Sequence, residues 1–300
     1  MKTYYEIRPG FDALRYLTTY GFLSWLARRA TRRDSRMFVE IRSNIDRHVL
    51  SEGVFEKGVL DLLRDMCQRT GRTTLMVDIG ANIGNHTVAL ADLFKQVECV
   101  EPHPVLFRVL QANTLCNRQA HVTCHNIGLA DENTSGTLTE SPGNHALNRV
   151  RERSQLPPEV FGLTSAQFSN EFRIELRSAR EFVGQFADQL DKAFIKIDVE
   201  GMEQEIITSL LPLLTTHKPL VGFEWFTRSQ PRMTEIVTNI PGYELWGIRV
   251  HDAGSSHLLR AIKMLFAGRG YTLERIDPKR LDDVYPLAML VPAGALGTVP

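Results

Sequence analysis

Apolar residues along this chain fall into three patterns: helical stripes, short continuous runs, and strict alternation. Their order predicts the architecture. Residues 11–30 carry a helical pattern in Leu14, Leu17, Phe22, Trp25 and Leu26. A second helix is predicted by Val59, Leu62, Leu63 and Met66, which follow an i, i+3, i+4, i+7 stripe that Gly71 stops. Strand-like apolar runs then occur at 75–79, 97–101, 122–127, 193–198 and 219–224. Helical segments separate them, one marked by Leu106, Val109 and Leu110, another by Ile207, Leu210, Leu211 and Leu214. A strand-like LWGIRV (245–250), a helix around Leu259, Ile262 and Phe266, and a final LAMLV (287–291) close the sequence. Strands alternating with helices imply an α/β fold, a parallel sheet with helices on both faces.

One segment breaks the rhythm. Residues 141–177 fit no single periodicity: SPGN and QLPPEV precede an alternating FRIEL run, and Ser178 and Glu181 then form an S-x-x-E capping box that opens a helix. An insertion of this length in an alternating sheet is often a lid or substrate loop. The expected division is therefore a helical extension over 1–70 and a main domain over 71–300, with 141–192 as an acceptor-facing insertion.

Composition narrows the classes. With 300 residues, 43% of them hydrophobic, the chain can bury a substantial core. Thirty-five basic and 35 acidic residues cancel, so no global field recruits nucleic acid. The arginines at 28, 29, 32, 33 and 36 form a local cluster. Through it, residues 11–36 have the features of a peripheral membrane contact; a solvated helix end packed on the main domain, or on a second copy in a homodimer, is the preferred expectation. No apolar stretch reaches the roughly 18 residues a membrane span needs, and the first residues show no leader pattern, so a cytoplasmic location is expected. Cys67, Cys99, Cys116 and Cys124 show no C-x-x-C pair and read as reduced structural thiols.

The chemistry gathers around LMVDIGANIGNHTVAL (75–90). In an open parallel sheet, ligands bind beyond the carboxyl ends of the strands, where a glycine turn lets backbone approach closely. Gly80, Asn82 and Gly84 supply that turn, but Asp78 lies just before it. A carboxylate there repels a diphosphate and attracts an ammonium or sulfonium. Glu101, ending the second strand, has the placement of an acid that accepts hydrogen bonds from ribose hydroxyls.

VDIGANIGNHT (77–87), VEPHP (100–104) with Asn113 and Asn117 after it, and FIKIDVEGMEQEII (194–207) together resemble the FkbM family of S-adenosylmethionine-dependent methyltransferases. The likeness covers roughly 75–225. It implies a Rossmann-like, seven-stranded class I methyltransferase sheet whose last strand is inserted antiparallel. It also implies O-methylation of a small hydroxylated acceptor, a sugar or a secondary metabolite. Carried over, Asp78, Gly80, Asn82 and Gly84 border the methionine part of S-adenosylmethionine, Glu101 holds the ribose, and Ile127 and Gly128 lie by the adenine.

In FIKIDVEG, a regular strand places Lys196, Asp198 and Glu200 on one side. They read either as a self-satisfied ion cluster or as groups facing the methyl, the cofactor amine or the acceptor; the second is favoured, with Glu224 as a neighbour. Asp198, Glu200 and His145 are the candidates for the base that takes the acceptor proton. His86 reads as a cap or packing residue at a helix start. No metal is expected, although Asp198, Glu200 and Glu224 are hard oxygen donors. Three other readings stay open: a nicotinamide-dependent oxidoreductase, an N-methyltransferase, and a noncatalytic cofactor-binding module.

Overall fold

The computed structural model describes residues 37–38, 55–140, 148–153, 170–227, 230–251, 270–278, 281 and 284–296. The stripe through Val59, Leu63 and Met66 becomes helix α1 (Lys57–Thr70), which buries those side chains; Gly71, at φ 68°, ends it in the left-handed conformation that glycine tolerates. Next come β1 (Leu75–Ile79), α2 (Asn85–Leu90), β2 (Gln96–Val100), α3 (Pro104–Cys116) and β3 (Val122–His125). Four shorter strands follow: β4 (Gly128–Ala130), β5 (Thr134–Thr139), β6 (Arg149–Val150) and β7 (Glu171–Ser178). The alternation then resumes with α4 (Ala179–Gly184), β8 (Ala193–Ile197), α5 (Glu203–His217), β9 (Leu220–Phe226) and α6 (Pro231–Thr238). Strands β10 (Tyr243–His251), β11 (Gly270–Arg275) and β12 (Val284–Pro292) close the described chain.

The main sheet runs β11-β10-β12-β9-β8-β1-β2-β3. Its pairings from β3 through β9 are all parallel, and β12, which contains the 287–291 run, lies antiparallel between β9 and β10. The inserted antiparallel strand is as expected. The strand count is corrected: among the described residues the sheet has eight strands, not seven, because β11 adds an edge beside β10. The helix expected around Leu259 to Phe266 and the pattern at 11–36 lie outside the described residues.

β1 and β8 are buried along their whole length, which is why they read as apolar runs interrupted by a single charged residue each. Leu75, Val77 and Ile79 face a core shared with Ile206 and Leu210 of α5, whereas Met76 and Phe194 face Leu63 and Met66 of α1 on the other side. Asp78 and Lys196, directly paired in the β1–β8 register, share that second face and are the charged members of two otherwise apolar strands.

The segment over 141–177 is also corrected. Its described parts are not irregular: β6 and β7 join β4 and β5 in a second sheet of order β4-β7-β5-β6. The FRIEL alternation is real, since Ile174 and Leu176 are buried between exposed Arg173, Glu175 and Arg177. The capping box forms by half. Ser178 Oγ accepts the Glu181 N–H at 3.3 Å, but the Glu181 carboxylate accepts from Asn133 Nδ2 instead of reaching back to Ser178.

Candidate active site

Backbone geometry brings two strand ends together. After β1, Gly80 (φ 82°) and Asn82 (φ 54°) turn the chain, and the N–H groups of Gly80 and Ala81 both bond the Val100 carbonyl at 3.0 Å. The end of β8 is stitched to the same place, because the Asp198 N–H donates to the Ile79 carbonyl at 3.0 Å. The fit is close enough that a Cβ on Gly80 would sit 1.8 Å from the Asp198 carbonyl oxygen. Asn113 holds the turn from beneath by donating to the Ile83 carbonyl at 2.7 Å.

Glu101 is buried at the tip of β2. Its two oxygens accept the N–H groups of Asn82 (2.8 Å) and His103 (2.7 Å). Burial raises this carboxyl to about 7, although both backbone bonds and Lys196 pull it the other way. Each oxygen keeps lone-pair capacity for a further donor.

Lys196 lies between two acids, its Nζ 3.0 Å from Asp198 Oδ2 and 3.5 Å from Asp78 Oδ1. Burial disfavours its charge, but the charges of Asp198 and Asp78 outweigh burial and hold the ammonium protonated. Burial likewise pushes Asp198 up, and Lys196, by charge and hydrogen bond, more than reverses this, so Asp198 stays ionised. Asp78 is fully buried and also accepts the Thr87 hydroxyl at 2.6 Å.

The strand ends at Ile197, so regular alternation does not carry on to Glu200. Glu200 instead sits at φ 51° in a turn completed by Gly201 at φ 103°. Glu203 anchors that turn by accepting the N–H groups of Val199 and Gly201. The sequence reading missed Glu203; an acid at the first position of α5, favourable at a helix N-terminus, was its only signal. Asp198, Glu200 and Glu224 each bring an oxygen to within 4.8 Å of the others. Burial and then the charge of Asp198 drive both glutamates well above the ordinary carboxylate range. Such a trio suits shared protons and is also a donor set for a hard divalent cation.

These parts open onto one cavity with about 1000 Å³ of space, part of it open to solvent. Gly80, Asn82, His86, Glu101, Lys196, Asp198 and Glu200 line it, and Gly128, Leu129, Leu138, Val150, Leu176 and Met202 form an apolar wall. Four carboxylates, Glu56, Glu101, Asp198 and Glu200, face it against two cations, Arg149 and Lys196. Asp78, Gly84 and Ile127 are not among the lining residues: Asp78 lies beneath Lys196, Gly84 packs on Leu110, and Ile127 is in the core. His145 lies outside the described residues. His86 is on the cavity wall, and burial, then Lys196, lowers it to about 4, so the imidazole is neutral near neutral pH.

The family model for the methyltransferase FkbM domain matches residues 78–273. The chain belongs to the FkbM methyltransferase family. Among the relatives of this FkbM protein is "Methyltransferase 1" of Beauveria bassiana (strain ARSEF 2860), 27% identical over 148 residues; the match covers 46% of this chain and 58% of that protein, less than two thirds of its length. Solved structures that resemble it include methyltransferase FkbM from Methylobacillus flagellatus KT, at 19% identity and TM-score 0.40, covering 73% of this chain and 44% of that one. Another is a putative caffeoyl-CoA O-methyltransferase from Staphylococcus aureus, at 13% identity and TM-score 0.42, covering 84% and 93%. No described helix is long and apolar enough to cross a membrane.

Proposed function

We propose that this FkbM methyltransferase uses S-adenosylmethionine to methylate a hydroxyl of a small acceptor, a sugar or a secondary metabolite. The observation that carries the reading is the make-up of the cavity: the acids Glu56, Glu101, Asp198 and Glu200 outnumber the cations Arg149 and Lys196, and Asp198 is held ionised, at the strand ends where such sheets bind ligands. A diphosphate cofactor is disfavoured there and a cationic one favoured. The residues fit the group: the Gly80 turn admits close backbone approach, Glu101 has acceptor capacity for ribose hydroxyls, and the Leu129–Leu138–Leu176 wall suits a flat base beside Gly128.

S-adenosylmethionine supplies, when bound, an electrophilic methyl on a sulfonium that is itself the leaving group. The chain has the remaining tasks. Glu101 and the Gly80–Asn82 turn orient the donor, an alignment that in well-oriented systems contributes on the order of 7–11 kcal/mol. Lys196, held charged between Asp78 and Asp198, fixes the Asp198 carboxylate toward the cavity. Of the candidate bases that line the cavity, Glu200, raised by burial and by the charge of Asp198, is in its deprotonated form a stronger base than the depressed Asp198. Asn148, Arg149 and Val150, from the segment at 141–192, line the cavity, which supports an acceptor-contacting role for that segment.

Calorimetry with S-adenosylhomocysteine and with NADH tests the donor class: binding of the first and not the second supports the reading, and the reverse result sinks it. Incubation of a metabolite extract with isotopically labelled methyl donor, read by mass spectrometry, then identifies the acceptor. With that acceptor, Glu200→Gln is expected to lower kcat by about 10²- to 10⁴-fold with unchanged affinity for S-adenosylhomocysteine. A parent-like kcat removes Glu200 from the role. Affinity for S-adenosylhomocysteine should weaken as pH falls through about 7, where Glu101 takes up its proton and loses acceptor capacity. Glu101→Gln should flatten that profile and weaken binding by about 1.5–3 kcal/mol. A pH profile identical in both proteins would contradict the assignment.

A further inference from the structure

Four side chains form a row across the parallel half of the sheet. Lys196 pairs with Asp78, Asp78 with Cys99, and Cys99 with Cys124, on β8, β1, β2 and β3 in turn. The charged end of the row belongs to the cavity. The thiol end does not: Cys99 and Cys124 are absent from its lining and pack instead among Ala81, Phe107, Leu110 and Val122, under α3.

The two sulfurs lie 3.3 Å apart. Neighbouring strands are about 4.8 Å apart, inside the range of about 4.4–6.8 Å that disulfides span between Cα atoms, so the register already holds the two residues at bonding separation. Their surroundings differ. Cys99 is fully buried and its Sγ is 3.3 Å from the Thr123 carbonyl, whereas Cys124 is half-buried, with Thr114 Oγ1 at 3.8 Å. The hydrogen bond from Cys99 is the main reason the Cys124 thiol is lowered to about 7; burial opposes it, Thr114 and His125 assist, and Glu98 opposes. Cys99 is raised by the same bond, by burial, and by the charges of Cys124 and Asp78. One thiol is thus an attacking group and its neighbour a proton-bearing resolving group, while Cys67, buried and pushed up to about 12, is inert.

We propose that Cys99 and Cys124 are a thiol-oxidation site that reacts with hydroperoxides and closes to an intrachain disulfide between β2 and β3. The Cys124 thiolate attacks a peroxide oxygen; the O–O bond breaks, and the departing hydroxide takes up the proton that Cys124 had released, leaving water and a sulfenic acid. The Cys99 sulfur then attacks the sulfenic sulfur, the S–O bond breaks, and the hydroxyl leaves as water with the Cys99 proton. Two thiols and one hydrogen peroxide give one disulfide and two waters. Side-chain rotation suffices, because the strands are already in register.

The test uses the full chain, fully reduced, exposed to hydrogen peroxide, then denatured, alkylated, digested and mapped by mass spectrometry. The expected product has lost two hydrogens, shows the Cys99 and Cys124 peptides linked, carries alkylated Cys67 and Cys116, and reverts with a thiol reductant. The rate should rise with pH through about 7. In Cys99→Ala the linked peptide disappears, Cys124 proceeds to the sulfinic acid, and the midpoint of the rate profile moves up, because the donor that stabilises the thiolate is gone. The proposal is overturned if both thiols of the parent still alkylate after peroxide, if Cys124 over-oxidises without a linked peptide, or if the linkage involves Cys67 or Cys116.

Discussion

Lys196→Met is expected to destabilise the protein by about 3–5 kcal/mol, the range found when one partner of a buried ion pair is removed. Lys196 is only 3% exposed and serves two carboxylates at 3.5 and 3.0 Å. Its removal leaves Asp78, fully buried, with the Thr87 hydroxyl as its hydrogen-bond donor. A carboxylate in that position must either hold an uncompensated charge or take up a proton. Urea unfolding measures the loss as a lower midpoint at unchanged slope. Adding Asp78→Asn to the same chain should recover much of the stability, because the stranded charge is then gone. A parent-like midpoint for Lys196→Met alone would show that the cluster is not electrostatically coupled.

The second large effect is expected from Gly80→Ala. The new methyl would meet the Asp198 carbonyl oxygen at 1.8 Å and its carbon at 2.9 Å, and the residue would need a φ of 82°. The left-handed backbone alone costs about 1–2 kcal/mol for a residue with a Cβ, and the clash is with backbone that cannot rotate away. The ends of β1 and β8 must therefore part, which breaks the Asp198–Ile79 bond and misplaces the turn that faces the cavity. Calorimetry should detect no binding of S-adenosylhomocysteine by Gly80→Ala, while circular dichroism shows a folded chain. Gly71→Ala is the control. Gly71 also has positive φ, at 68°, but nothing lies within 4 Å of its missing Cβ, so only the backbone cost applies and binding should persist. Parent-like affinity in Gly80→Ala would remove the turn from the binding site.

The central strands were legible because burial on both faces leaves β1 and β8 no polar side, and an apolar run interrupted by a single charged residue is then visible in the string itself. The order of β12 in the sheet followed from the family resemblance, not from the run LAMLV. The second sheet was illegible for a physical reason: β4 has three residues and β6 two, too few to establish a period. Strand β7 showed its alternation, but nothing in FRIEL names its partners.

The site divides in the same way. Glu101 and Asp198, each one residue past a strand, line the cavity, and Glu200 lines it from the turn that follows β8. Asp78 meets Lys196 and Thr87 below it, since the direction of a side chain at the last turn of a buried strand depends on what the neighbouring strand offers. His86 was read as packing because one histidine in a first helical turn carries no directional signal, yet it faces the cavity. The Cys99–Cys124 contact spans 25 residues and depends on the β2–β3 register, which no local pattern encodes.

The cavity also has two walls of different construction. One is the main sheet, whose strand ends are tied by backbone hydrogen bonds; the other belongs to the four-stranded sheet, a separate hydrogen-bonded unit. What joins them is apolar contact, Val199 and Met202 against Leu138, Ile174 and Leu176, together with Glu205 of α5, which accepts from the Asp131 N–H and pairs with Arg153. Because that wall is built of side chains and the opposite one of backbone bonds, substitutions at Leu138 or Leu176 reshape the cavity while the ends of β1, β2 and β8 keep their ties.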